Sequence, residues 1–152
     1  MLLIRDAQEF DCRSYFQLVN DQLVRQNSIK TSVVKWEEHK KWFLEKLGSD
    51  NTFLFVAEMS GLFLGQVRFD YSSASCAWFI DYSIDKPFRG KGFAKEMMMK
   101  SMKCLSKSVQ KPFKISALVR LENHSSRKVF QNLGFTVIYE DKVLVTYIKT
   151  ID

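Results

Sequence analysis

Apolar and polar positions repeat with two different periods along this chain, and the points where the period changes divide it into short elements. Leu2 to Arg5 reads as a first strand. Cys12, Tyr15, Phe16, Val19 and Leu23 then recur at helical spacing and predict a first amphipathic helix. The polar patch from Asn20 to Ser28 breaks that pattern. A second helix is predicted from about Lys35 to Leu47, with Trp36, Phe43, Leu44 and Leu47 on its buried side and Gly48 as its stop. Three strands follow, Phe53 to Glu58, Leu64 to Tyr71 and Cys76 to Ile84, joined by Ser60-Gly61 and by Ser72 to Ser75. Ala94, Met97, Met98, Ser101, Met102 and Leu105 return to helical spacing, so a long helix begins near Gly92. After the break at Lys111-Pro112 come a strand, Ile115 to Val119, and a short helix marked by Ser126, Val129, Phe130 and Leu133 and stopped by Gly134. Two final strands, Phe135 to Tyr139 and Val143 to Lys149, close the chain. The order β-α-α-β-β-β-α-β-α-β-β predicts an α/β sandwich with a mixed sheet in a single domain over residues 1–152.

Between the apolar strand ending at Ile84 and the Met-rich helix lies Arg89-Gly90-Lys91-Gly92-Phe93-Ala94. Its two glycines permit a bend and a close approach of backbone to a ligand. The first turn of a helix carries unpaired N–H groups and the positive end of a dipole, and Arg89 and Lys91 add charge at the same place. The combination suits phosphate, and a diphosphate best. Neither the P-loop spacing nor Gly-x-Gly-x-x-Gly is present. Beside the loop, Gln66, Arg68 and Asp70 alternate on one strand and Phe79, Asp81 and Ser83 on the next. Pairing Tyr71 with Cys76 would put Gln66, Arg68, Asp81 and Ser83 on one face; a one-residue slip would put Tyr82 beside Arg68 instead. Charges on a covered sheet are costly unless paired or functional, so an Arg68–Asp81 ion pair and a catalytic Asp81 are both open readings.

Composition narrows the candidates. The chain has 152 residues, 46% hydrophobic, with 13 Phe and 3 Trp, which suits a globular core needing no staples. A net charge of +6 suits an anionic ligand. The cations are scattered without an arginine-rich face, which argues against nucleic acid. The three cysteines, Cys12, Cys76 and Cys104, are far apart with no metal-ligand spacing, and read as buried thiols of a cytoplasmic protein. The amino end turns charged after four residues, so no signal peptide is expected, and no apolar run reaches membrane length.

Arg89-x-x-Gly92-x-Ala94 resembles the acetyl-CoA pyrophosphate loop, Arg/Gln-x-x-Gly-x-Gly/Ala, of the GNAT superfamily of N-acetyltransferases. Asn123-x-x-Ser126-x-x-x-Phe130-x-x-x-Gly134-Phe135 is similar to a second GNAT pattern, and the two together span roughly the last half of the chain. The resemblance implies a mixed, mostly antiparallel sheet flanked by about four helices. It implies that acetyl-CoA lies where the central strand and the strand after the long helix splay apart. The pyrophosphate would rest on the N–H groups of Gly90, Lys91, Gly92, Phe93 and Ala94, with Arg89 adjacent. The pantetheine arm would pair with backbone from Tyr82 to Ile84. Asn123, and Ser126 beside it, would contact the arm, and Phe130 would pack near the thioester. A β-bulge in the central strand would aim an N–H at the acetyl carbonyl, where negative charge develops.

Many relatives carry Tyr where this chain has Phe130, and that phenol protonates the leaving thiolate. Here Tyr82, Tyr139, Ser83 or water would have to supply the proton, or the thiolate leaves unassisted. The incoming ammonium, with a pKa of about 10, must also lose a proton. Asp81 is the first candidate base, directly or through water, and His39 the other.

The patch containing Asn20, Arg25 and Ser28, followed by Trp36-Glu-Glu-His39 and Trp42-Phe43, resembles the bacterial sugar-nucleotide N-acetyltransferases of pseudaminic and related nonulosonic acid synthesis. Gly65 to Asp70 and Asp81 to Asp85 look like the same subgroup. That resemblance implies a nucleotide-linked amino-sugar as acceptor, with Arg25 and Arg68 on its phosphates and Trp36 on its sugar or base. It leaves a homodimer open. The competing readings are acetylation of a protein amino terminus, lysine or polyamine, and an idle acetyl-CoA-binding module, for which Phe130 is the best argument. A basic chain disfavours a polycationic acceptor.

Overall fold

The computed structural model describes residues 1–152. Seven strands, β1 (Leu2–Asp6), β2 (Thr52–Met59), β3 (Leu62–Ser72), β4 (Ala77–Ile84), β5 (Phe113–Arg120), β6 (Thr136–Glu140) and β7 (Leu144–Ile151), form one sheet in the order β1-β2-β3-β4-β5-β7-β6. The helices are α1 (Cys12–Val19), α2 (Gln22–Asn27), α3 (Trp36–Leu47), α4 (Phe93–Ser108) and α5 (His124–Asn132). Every neighbouring pair is antiparallel except β4 and β5, which run parallel because α4 carries the chain across between them. The expected mixed, mostly antiparallel sheet is therefore present.

Each face of the sheet has its own core. Met97, Met98, Met102 and Leu105 of α4 and Phe130 of α5 pack on one face with Ile80, Ile115 and Tyr147. These are the helical-period positions the sequence singled out on α4, and their regular spacing buries a continuous stripe. Tyr15 of α1 and Phe43 of α3 pack edge to face on the other side, with Leu54 and Val56 beneath them.

Several expectations need correction. The polar patch after α1 is not irregular: Asp21 accepts hydrogen bonds from the N–H groups of Leu23 and Val24, and so starts a separate helix, α2. Five helices therefore replace the expected four, and Leu23 belongs to α2 rather than α1. On α3 the buried residues are His39 and Phe43, one turn apart on the same face, while Leu44 is exposed. Tyr71 pairs with Trp78, not Cys76, so the hairpin register differs by two residues. A shift of two preserves the faces, and Gln66, Arg68, Asp81 and Ser83 do share one. Finally, Cys76 is exposed, because it sits in the turn before β4, where its Sγ donates to the carbonyl of Ser73.

The parallel pair is short. Ladder partners exist at Trp78/Ile115 and Phe79/Ser116, and beyond them β4 and β5 diverge. Pairing of β4 with β3 continues without interruption from Ser72/Ala77 to Gly65/Ile84. The central-strand β-bulge implied by the resemblance is thus absent from this pairing; register shifts fall instead at Ala57/Glu58 and Val137/Tyr139. Gly65 allows the close approach of β3 and β4 at the far end. A Cβ there would stand 2.3 Å from the Ser83 carbonyl oxygen and 3.2 Å from the Met97 sulfur.

Candidate active site

A cleft of about 1170 Å³ opens where β4 and β5 part. It exceeds the roughly 300–1,000 Å³ typical of a small-molecule site, and so offers room for a large cofactor and a second molecule. Asp81, Tyr82, Ser83 and Ile84 line it from β4, Arg89, Gly90 and Ala94 from the turn into α4, and Asn123, Ser126 and Phe130 from α5. Lys91, Gly92 and Phe93 complete the same turn without lining the cleft; Phe93 packs edge to face on Phe88.

The turn has the properties a diphosphate requires. Gly90 and Gly92 adopt φ of 73° and 81°, in the left-handed region glycine enters without penalty. Gly92 is the N-cap of α4, and no side chain caps that end. The amide N–H groups from Gly90 to Ala94 find no acceptor within the chain. They form an uncompensated cluster of donors at the positive end of a 16-residue helix. Arg89, by contrast, is partly engaged. Its Nε donates to the carbonyl of Ile84 at 2.9 Å and its Nη2 to Asp21 at 2.8 Å. These two bonds shape the loop and leave Nη1 without an acceptor in the chain.

Of the residues assigned to the thioester arm, Asn123 caps α5 by accepting the Ser126 N–H at 3.2 Å. The Tyr82 hydroxyl donates to Ser126 Oγ at 3.0 Å. Burial pushes the Tyr82 phenol above its ordinary value, the Ser126 hydroxyl opposes this, and Asp81 adds to it. Phe130 is fully buried, stacked on Tyr147 at 5.6 Å and edge-on to Tyr82 at 6.0 Å.

On the opposite face of the sheet, Gln66 Nε2 donates to Asp81 at 3.0 Å and to Ser83 Oγ at 3.3 Å. An ionised carboxylate only accepts, which fixes the amide orientation and leaves Gln66 Oε1 buried without a partner. The Arg68–Asp81 pair is loose, at 3.8 Å, whereas Arg68 Nε donates to Asp70 at 2.7 Å. The terminal nitrogens of Arg68 have no hydrogen-bond acceptor in the chain, and the guanidinium lies 5.1 Å over the Trp42 ring. Burial works against the Arg68 charge, but Asp81 and Asp70 more than offset it and hold its pKa above the usual value.

The residues placed on the acceptor side meet different fates. Arg25 lines the cleft but donates to the carbonyls of Val19, Lys30 and Ser32 and to Ser28 Oγ. Burial lowers its pKa, and Asp81 counters this. Asn20 does not line the cleft: its amide makes two bonds to the Val34 backbone, at 2.8 and 2.9 Å. Trp36 does not line it either, since its ring is covered by Arg13 at 4.4 Å and Phe16 at 5.1 Å. Trp42, six residues on, lines it instead. His39 is buried among Phe16, Trp36, Trp42 and Phe43, with Nε2 3.0 Å from the Cys12 carbonyl. Burial depresses its pKa and the carbonyl opposes this, so the ring is neutral, with its proton on Nε2.

Two contacts of the cleft carry no sequence motif. Besides Asp21 on Arg89, Arg120 at the end of β5 donates to the carbonyls of Ser28 and Ile29 at 2.7 and 3.1 Å. The segment containing α2 is therefore pinned to the β4 side through Arg89 and to the β5 side through Arg120. A helix cap at Asp21 is readable from the Asp before Leu23; its long-range arginine is not.

No curated protein matches the chain. Among solved structures, it superposes on a Salmonella typhimurium acetyl transferase that modifies the N-terminal serine of ribosomal protein L7/L12, with a TM-score of 0.81 at 19% identity over 99% of this chain and 95% of that one. A Vibrio cholerae spermidine N-acetyltransferase in complex with CoA and spermine gives 0.84 at 15% identity, over 98% and 95%. An N-acetyltransferase from Staphylococcus aureus Mu50 gives 0.81 at 20%, over 100% and 99%. At such identities the likeness is one of fold. The sequence itself matches the family model described as acetyltransferase (GNAT) domain over residues 1–136. Together with the donor-lined turn beside the parted strands, this places the chain in the GNAT acetyltransferase family, as an enzyme whose acetyl group comes from acetyl-CoA.

Proposed function

We propose that the chain acetylates a primary amine on a nucleotide-linked amino-sugar, by direct attack of the amine on the thioester. The observation that carries the acceptor class is Arg68, with free terminal nitrogens beside Asp81 and over the flat Trp42 ring, all in one cleft. A half-buried guanidinium that lines the cleft with open donors suits a phosphate, and an aromatic face suits a sugar or base. The motif resemblance around Arg25, Ser28 and Trp36-Glu-Glu-His39 favours the same class. In this reading Arg25, whose donors are already engaged, shapes the acceptor wall.

Asp81 is the base. Its carboxylate is half exposed at the cleft, accepts from Gln66, and stands beside the position a strand-facing amine would take. The ammonium gives up a proton to Asp81, and the neutral nitrogen attacks the acetyl carbon. His39 also lines the cleft but is less suited, because its Nε2 proton is committed to Cys12 and its ring is buried among aromatics. The amides from Gly90 to Ala94 hold the pyrophosphate and thereby fix the thioester relative to Asp81.

Thiol release from acetyl-CoA, measured against amino-sugar nucleotides, amino-terminal peptides, lysine and polyamines, tests the reading. Turnover is expected with a sugar nucleotide. Turnover with a peptide or spermidine alone would overturn the acceptor class, and tight acetyl-CoA binding without turnover on any amine would make the protein a non-catalytic module.

A further inference from the structure

Phe130 removes the phenol that would protonate the leaving thiolate, and the structure separates the remaining donors. Tyr139 lies on the edge strand β6, 60% exposed, and does not line the cleft. Ser83 projects to the other face of the sheet, where Gln66 Nε2 donates to it. Tyr82 alone among these three shares the α5 side of the cleft. Its ring is edge-on to Phe130, and its hydroxyl is bonded to Ser126, one helical turn before Phe130.

We infer that the Tyr82 hydroxyl donates the proton to the departing coenzyme A sulfur, and that Ser126 Oγ relays its replacement from cleft water. The inference rests on the acetyl-transfer reading above. When the tetrahedral intermediate collapses, the C–S bond breaks and its electron pair goes to sulfur. The Tyr82 O–H, which donates to Ser126 Oγ in the free protein, turns to that sulfur and gives up its proton, forming the free thiol, and the Ser126 hydroxyl turns to donate in its place. The phenolate that remains accepts a hydrogen bond and then a proton from Ser126 Oγ–H, and Ser126 recovers one from water. The amine's own protons leave through Asp81, so one proton reaches solvent for each acetyl group moved.

Several features support this assignment. Burial keeps the phenol protonated at neutral pH, as a donor must be, while the serine hydroxyl favours the transient phenolate. Asp81, the charged neighbour on the same strand, also works against early loss of the proton. Arg127 on α5 is turned away, with Nε on Tyr147 and Nη1 on the Leu121 carbonyl, so no cation competes for the phenol. Ser126 is held in place because its own N–H is fixed by Asn123.

The test uses the full chain and the amine it turns over best. Y82F is expected to lower kcat by about ten- to a hundredfold, at the modest end for acid catalysis because a thiolate is a good leaving group. Its acetyl-CoA Kd, measured by calorimetry, should stay within twofold of the unaltered protein. S126A should lower kcat less than Y82F does. Adding F130Y to Y82F should restore at least part of the lost kcat, since it returns a phenol to the same wall of the cleft. Unchanged kcat in Y82F, or a rise in Kd matching the fall in kcat, would overturn the assignment. So would a folded Y82F/F130Y double variant no faster than Y82F. Should the hydroxyl at position 130 unfold the chain, the kcat-against-Kd split of Y82F decides by itself. An unaltered protein inactive on every amine removes the transfer reading and this role together, whereas an active one matched by Y82F removes this role alone.

Discussion

Arg89 Nη2 donates to Asp21 Oδ1 at 2.8 Å, joining the turn before α4 to the N-cap of α2 across 68 residues of sequence. Burial disfavours the Asp21 charge, but Arg89 and the N–H groups of Val24 and Leu23 outweigh it, so its pKa lies below the usual carboxylate value. A depressed folded pKa contributes stability above the unfolded value near 3.8 and loses it as pH falls through the folded one. Asp21→Asn keeps a good cap but removes the charge. The denaturant midpoint of D21N should fall below that of the native chain at pH 7, and the gap should narrow as pH falls below the unfolded value near 3.8 toward the folded one. A gap that is constant with pH would mean that the ion pair adds nothing.

At Gly92 the conformation and the space make separate demands. A Cβ there meets nothing within 4 Å, so the free protein has room for a side chain, but φ of 81° strains it. Gly92→Val should cost about 1–2 kcal/mol in stability and raise the acetyl-CoA Kd tenfold or more, because the branched side chain blocks approach to the amides. Gly61→Val makes the comparison: φ of 77°, equally open space, and a place in the β2–β3 turn. It should lose similar stability with Kd unchanged. Equal Kd for the two variants would take the turn out of the binding site.

Gly65 is limited by contact rather than conformation. Gly65→Ala places a methyl 2.3 Å from the Ser83 carbonyl oxygen, against backbone that cannot swing aside. A loss of about 1–3 kcal/mol or more is expected from such overpacking. Urea titration measures it, and a loss below about 0.5 kcal/mol would show that β3 and β4 part easily at this end.

His39 makes the chain sensitive to mild acid. Its folded pKa is depressed by burial, so the unfolded chain takes up a proton below about pH 6.5 that the folded one resists. Stability is fully present above 6.5 and declines as pH falls toward the folded value. The native denaturant midpoint should drop between pH 7.5 and 5.5, and His39→Phe should flatten that stretch while lowering the midpoint at pH 7.5, since the Cys12 carbonyl loses its partner. A native curve as flat as the variant's would contradict the buried neutral ring.

Much of this architecture is legible in the sequence because period and packing agree. Met97, Met98, Met102 and Leu105 name the buried stripe of α4 directly, and the alternation through Gln66, Arg68, Asp81 and Ser83 gives the correct shared face even with the hairpin register misplaced by two. The α2 helix is not legible, since its six residues bury none of their side chains and it depends on a cap bonded to a distant arginine. Asn20 and Trp36 show the same limit. A motif marks them, yet one holds the backbone of Val34 and the other lies under Arg13, partners that only the folded chain brings near.

Beyond Phe79 and Ser116 no ladder bond sets how far apart β4 and β5 stand. The spacing there falls to side chains, Arg89 gripping Asp21 from one bank and Arg120 gripping the Ser28 and Ile29 carbonyls from the other. The gauge of the opening is thus adjustable by substitutions in one short helix and its exit, with the sheet left intact, which gives this scaffold a simple route to altered acceptor size.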